Sequence, residues 1–233
     1  MLIYTTAMLL IPYADANGAV YHGLWLNGNN LSAWIDHSIL GANHVYSKSL
    51  PFNSDPEGIL TTLPAISTCL SGVLVGIYLQ QARNNSIDLA KQVAFLSIIG
   101  IIGVVLGQLM HNWLPINKAL WTPSYVILTS GFACIALAVC IYLVEIKKFR
   151  RWSAPFLVFG VNSIAFFMFS GIIGRLLMMI QYQDMAIKTW LYQSIYLPTF
   201  GPLNGSLAFA LSFLIISYLV MHWMYRNNII WKV

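Results

Sequence analysis

The chain reads as an all-α membrane protein, a polytopic helix bundle with about five full transmembrane helices and a partial helix at its amino end. Three observations carry that expectation. Hydrophobic residues make up 58% of the 233 positions and charged residues 8%, with a mean hydropathy of +0.71; soluble domains carry roughly 25% charged residues. Apolar runs of about 20 residues, enough for a hydrocarbon core of roughly 30 Å, recur along the chain. The charges are also sorted by loop, with basic residues gathered between alternate runs.

Taken in order, residues 1–13 form an apolar run too short to span comfortably. The first charge is Asp15, so the run lacks the basic start of a signal peptide. It reads instead as the outer end of a spanning helix whose beginning is missing, which makes the chain look like the second half of a larger protein. Residues 14–57 form a polar loop, with turn dipeptides at Asn17-Gly18 and Asn27-Gly28. Full spans follow at 58–79, 92–110, 123–144, 155–174 and 206–224. Small residues at Gly72 and Gly76, and at Gly103 and Gly107, lie on one face of their helices and permit close approach in lipid. Residues 1–233 are expected to make a single membrane domain.

The net charge of +5 does not point to nucleic acid. Arg83, Lys91, Lys147, Lys148, Arg150, Arg151, Arg226 and Lys232 fall on one side of the spans, while Asp15, Asp36, Asp55, Glu57 and Asp184 fall on the other. This is the positive-inside pattern. It places the carboxy terminus in the cytoplasm and the 14–57 loop outside, with membrane lipid as the general partner. Cys69, Cys134 and Cys140 lie within spans and share no metal-ligand spacing, and the five histidines are scattered. No metal is expected.

The polar groups concentrate around the first full span. Ser54-Asp55-Pro56-Glu57 reads as a helix start: Ser54 and Glu57 have the spacing of a capping box, or Asp55 caps with Pro56 at the first helical position. Two acids beside a histidine-containing loop could also orient a cation or a sugar. His44 is the best-placed imidazole there, as general base or substrate ligand, or as an ordinary loop histidine. Asn162, mid-span, needs a hydrogen-bond partner within the bundle. Arg175, near an outer span end, snorkels or meets an anion. Asn30-Leu-Ser32 fits a glycosylation acceptor triplet.

Four ordered blocks share one likeness. They are Asn30 to Tyr46 followed by Ser54-Asp-Pro-Glu-Gly-Ile-Leu, then Pro115-Ile-Asn-Lys-Ala-Leu-Trp-Thr-Pro-Ser-Tyr125, then Trp152-Ser-Ala-Pro-Phe with Gly160-Val-Asn-Ser-Ile164, and the closing Ile230-Trp-Lys-Val. Together they resemble the carboxy-terminal half of the heparan-α-glucosaminide N-acetyltransferase family, including bacterial relatives labelled as N-acetylglucosamine permeases. The resemblance implies acetyl transfer from cytosolic acetyl-CoA, as co-substrate, to the amine of a glucosamine-type sugar on the outer side. It implies a bacterial inner membrane, with loop 14–57 periplasmic. It also implies that the catalytic histidine lies in a preceding segment, so no residue here is catalytic and His44 does not take that role. The implied substrate-binding residues are His44, Asp55, Glu57, Asn117, Trp121 and Asn162. Activity would then need the missing half, as a second polypeptide or in an undivided ancestor; the partners to expect are that half or, as a homo-oligomer, further copies of the chain. The competing readings are an amino-sugar transporter and an inactive truncated membrane protein.

Overall fold

The computed structural model describes residues 1–46 and 48–231. Ser47, Lys232 and Val233 lie outside the described residues, and with them the last two positions of the closing motif. Helices dominate, and the chain divides into two compact units, Met1–Lys148 and Phe149–Val233. Among the described residues four helices are long and apolar enough to cross a membrane, or five if one bent pair counts as a single span.

The first unit opens with α1 (Leu2–Leu10). At 1.5 Å per residue it is about 14 Å long, far short of a bilayer. A hairpin of β1 (Tyr13–Ala14) and β2 (Val20–Tyr21) follows, closed by the Asp15 carboxylate, which accepts from the Asn17 and Ala19 amides. Next comes α2 (Leu31–Leu40), capped by Asn30. Tyr4 and Met8 of α1 are wholly buried with Tyr13, Leu31, Ala33, Phe52 and Leu120. The Tyr4 hydroxyl donates to the Leu120 carbonyl. The polar loop is therefore a folded cap with its own core, and α1 is part of it.

Three long helices complete this unit: α3 (Thr62–Asn84), α4 (Leu89–Met110) and α5 (Pro123–Ile141). The first begins four residues later than the apolar run suggests. Gly58–Thr61 is taken into a turn whose Gly58 carbonyl accepts from the Thr61 and Thr62 hydroxyls. The expected capping box is not formed, because the Ser54 hydroxyl meets Ser49 and Asn27 instead. Helices α4 and α5 pack most closely. A Cβ on Gly131 would stand 2.7 Å from the Gly100 carbonyl oxygen and the Val104 nitrogen, and one on Gly107 would stand 2.8 Å from Leu128. Gly103, flagged with Gly107 by its spacing, faces the Gly131 backbone at 3.1 Å. The similar pair Gly72 and Gly76 on α3 has nothing within 4 Å.

In the second unit, the run expected as one span at 155–174 is broken. Helices α6 (Ala154–Val161) and α7 (Ser163–Met179) meet at Asn162 with a bend of 74°. Asn162 leaves helical geometry there, with φ −123° and ψ 40°. A hairpin of β3 (Gln181–Tyr182) and β4 (Met185–Ala186) leads to α8 (Ile187–Leu191), a π-helical turn (Tyr192–Tyr196) and α9 (Leu197–Arg226). The expected span at 206–224 is thus the later part of a longer segment. Gly201, with φ 76°, interrupts the helix just before Pro202, which cannot donate to the preceding turn.

The glycine seam yields a contrast between two positions. Gly131→Val should destabilise the detergent-solubilised chain by about 1–3 kcal/mol through overpacking. Gly72→Ala, on an open face, should stay within about 0.5 kcal/mol. Denaturation midpoints of the two variants check this; equal midpoints would show that the seam is not close-packed.

Candidate functional site in the polar cap

Helix α2 begins where the Asn30 side-chain Oδ1 accepts from the Ala33 amide at 2.8 Å, while its Nδ2 donates to the Leu26 carbonyl at 2.7 Å. Asn30 is 1% exposed. The acceptor triplet at Asn30 is corrected on that ground: its amide nitrogen is buried and bonded to the Leu26 carbonyl, while its oxygen caps the helix. From Asn30 the helical phase sets Leu31, Ser32, Ala33 and Asp36 inward.

Asp36 is the residue that sequence reasoning passed over. It has no solvent exposure, and its Oδ1 accepts from the Ile59 amide at 2.8 Å. Its Oδ2 has no hydrogen-bond partner among the described residues. That oxygen lies where a Cβ on Gly58 would be, so position 58 admits no side chain without displacing the carboxylate. Burial raises the Asp36 pKa above its ordinary 3.8, against the pull of the Ile59 amide; the Asp55 charge adds to the rise and the Ser32 hydroxyl offsets it slightly. The signal was present in the sequence, since Asp36 stands four residues after Ser32 and three after Ala33.

Asp55 and Glu57 stand on the far side of the same corner. Asp55 is half-buried; its Oδ1 accepts from the Glu57 amide at 2.9 Å and its Oδ2 from the Tyr46 amide at 3.2 Å. Asp55 therefore organises a turn and does not cap a helix. Glu57 is exposed. His44 is exposed as well, its Nδ1 3.0 Å from the Leu40 carbonyl oxygen at the end of α2. The Tyr46–Asp55 bond holds the strand of loop just after His44 to the acidic corner.

The 115–125 block joins this cap through Leu120, which lies in the same core. Asn117 Oδ1 accepts from the Ala119 and Leu120 amides, shaping the turn. Trp121 adopts φ 50°, a left-handed conformation that costs a non-glycine residue about 1–2 kcal/mol. Its indole N–H donates to the Thr68 hydroxyl of α3 at 2.9 Å, and its ring meets Tyr125 edge-on at 5.3 Å between centroids. One turn along α3, Ser71 and Ser130 share a hydrogen bond at 3.0 Å. Thr68, Ser71 and Ser130 are polar points on a mainly apolar groove of about 930 Å³ bounded by α3, α4 and α5.

Five of the six sequence-derived candidates thus fall in the first unit, around one core. Asn162 falls in the second, with both ends of its amide engaged by its own chain. Arg175 is exposed on α7. Among the described residues no three His, Cys, Asp or Glu side chains cluster as metal ligands.

These features define a polytopic helical membrane protein with a folded polar cap. No protein-family profile matches the chain. Its particular likeness is to heparan-alpha-glucosaminide N-acetyltransferase. The identity to the Homo sapiens protein is 36% over 145 residues, covering 57% of this chain and 21% of that protein. To the Mus musculus protein it is 34% over 144 residues, covering 57% and 22%. The resemblance seen in the sequence blocks is therefore found, as a partial one. The match spans about a fifth of the length of these curated relatives.

The Asp36 corner has a signed pH dependence. A carboxyl whose folded-state pKa is raised contributes fully below its unfolded pKa, and the contribution is lost as pH rises through the folded value. The cap should therefore loosen between the ordinary carboxylate range and the raised value. Asp36→Asn keeps the acceptor for Ile59 and should flatten that dependence in thermal melts followed against pH. Asp36→Ala should cost about 1–3 kcal/mol at every pH by leaving the Ile59 amide unpaired. An Asp36→Asn profile that parallels the parent would assign the titration to another group.

Proposed function

We propose that this chain forms part of a membrane acetyltransferase that moves an acetyl group from cytosolic acetyl-CoA to the amine of a glucosamine-type sugar on the opposite side. The observation that carries the reading is the 34–36% identity to proteins named heparan-alpha-glucosaminide N-acetyltransferase, extending over more than half of this chain. The charge distribution supports the orientation, with the cap outside and the Lys147–Arg151 cluster at the cytoplasmic face.

Chemically, the sugar amine attacks the thioester carbonyl, the C–S bond breaks, and the amine proton leaves with the coenzyme A thiol. The attacking amine must first be unprotonated and held in place. In this reading the Asp55 and Glu57 carboxylates receive the sugar as its ammonium form or through its hydroxyls. Trp121 offers an aromatic wall, and the turn shaped by Asn117 holds that wall in place. His44 lies at the rim as a sugar contact. The catalytic base belongs to a segment outside the residues in this chain. A membrane-embedded partner that carries that segment, the remainder of the enzyme, completes the site.

The broken α6–α7 pair favours a second reading, because interrupted helices are a recurring feature of transporters. An amino-sugar carrier would use the same outer carboxylates and need no thioester.

Two measurements separate the readings. The purified chain in nanodiscs should bind glucosamine more tightly than glucose or N-acetylglucosamine. Asp55→Asn with Glu57→Gln should weaken that binding about tenfold, the loss of one charge-assisted contact. Equal binding of glucose would sink the acidic-corner assignment. Acetyl-CoA-dependent labelling of glucosamine by membranes that contain the chain together with the segment supplying the base supports the enzyme. Counterflow of labelled N-acetylglucosamine above empty vesicles, without such labelling, replaces the enzyme with the carrier.

A further inference from the structure

Asn162 is wholly buried at the 74° break between α6 and α7. A buried amide in such a place needs partners for both its ends. It finds both on one short segment of main chain. Its Nδ2 donates to the Ile229 carbonyl at 3.0 Å, and its Oδ1 accepts from the Trp231 amide at 3.0 Å. The carbonyl of one residue and the amide of the next but one are the pair that a neighbouring β-strand would engage. Here one side chain does what a strand edge does.

The segment is also delivered and seated by other contacts. Helix α9 ends where the Asn228 and Ile229 amides bond the Tyr225 and Met224 carbonyls, and Asn228 turns the chain with φ 53°. Ile229 then packs on the cluster of Val158, Ala165, Met221 and Met224, which joins α6, α7 and α9. Trp231 is 54% exposed, so its amide and not its ring is what the site engages. An ordinary interior asparagine would be served by a facing helix. This one is served by an extended tail that arrives from 67 to 69 residues away.

We infer that Asn162 is a docking site for extended main chain, that its occupant is this chain's own Ile229–Trp231 segment, and that this strap keeps the α6–α7 break bent. The site recognises backbone, so it is indifferent to the side chain at 231. Release of the strap frees the two helices to change their angle and leaves a vacancy that an extended peptide can fill.

The test uses the full chain on a cysteine-free background (Cys69→Ser, Cys134→Ala, Cys140→Ser), spin-labelled through Leu157→Cys on α6 and Ile172→Cys on α7, both exposed positions. Pulsed electron resonance should give one narrow distance distribution. Deleting residues 229–233 should broaden it, a peptide of residues 227–233 added in trans should restore it, and the same peptide N-methylated at the Trp231 nitrogen should not. Asn162→Ala in the undeleted chain should broaden it equally, with no further effect of the deletion. A distribution that stays narrow after the deletion, or a methylated peptide that restores it, overturns the strap. If the deleted chain fails to fold, Asn162→Leu decides. It nearly keeps the volume but can neither donate to the Ile229 carbonyl nor accept from the Trp231 amide, and a narrow distribution there overturns the proposal as well.

Discussion

The bond from the Ile59 amide to the buried Asp36 carboxylate joins the end of the polar cap to the start of the first long helix. The acidic corner of the candidate site takes its position from it. Gly58 lies against the free oxygen of the same carboxylate, so the chain can pass only without a side chain at that point. Asp55 and Glu57 are the residues just before the passage, and their placement follows from where Gly58 is held. The acidic corner is thus the outer face of a polar contact whose inner face is sealed from water. That contact stands on Asn30, because the cap bond from Ala33 sets the phase that turns Asp36 inward.

The membrane architecture was legible because it rests on bulk properties. Apolar runs and sorted charges survive small errors in boundary, and α4 and α5 begin and end close to where the runs do. The ends of α3 and the break at Asn162 were not legible, because single hydrogen bonds decide them. A run of apolar residues from 155 to 174 contains one amide, and nothing local says that its partner is a backbone segment near residue 230. Likewise, Ser54 and Glu57 have capping-box spacing, yet Ser54 turns to Asn27 and Ser49. Short-range rules lose to long-range partners at these places. Asp55 and Glu57 stood out as two acids at a helix entrance, whereas Asn117 and Trp121 were picked out by resemblance to family blocks. The left-handed backbone of Trp121 and its bond to Thr68 carry no signal in the sequence.

The two units solve one problem in the same way. Each uses one buried polar side chain, Asp36 within α2 and Asn162 at the α6–α7 break, to hold main chain from a distant stretch. Asp36 takes an amide from 23 residues on; Asn162 takes an amide and a carbonyl from the end of the described chain. In lipid or in a dry cap, an open backbone group costs several kcal/mol. Such side chains therefore stabilise irregular backbone more than they stabilise any regular element.

The glycine seam between α4 and α5 has a consequence for the order in which the first unit is assembled. These helices are neighbours in sequence, and their contact needs only backbone and small side chains, so the hairpin can close soon after both segments enter the bilayer. The Asp36–Ile59 contact and the Leu120 core draw instead on α1, α2, the corner and the link between α4 and α5. The Asp36–Ile59 contact lies wholly before α3, but the core is complete only when Leu120, beyond α3, is present. The α4–α5 hairpin then fixes where Leu120 stands, and the core under the cap is the last part of this unit to be filled.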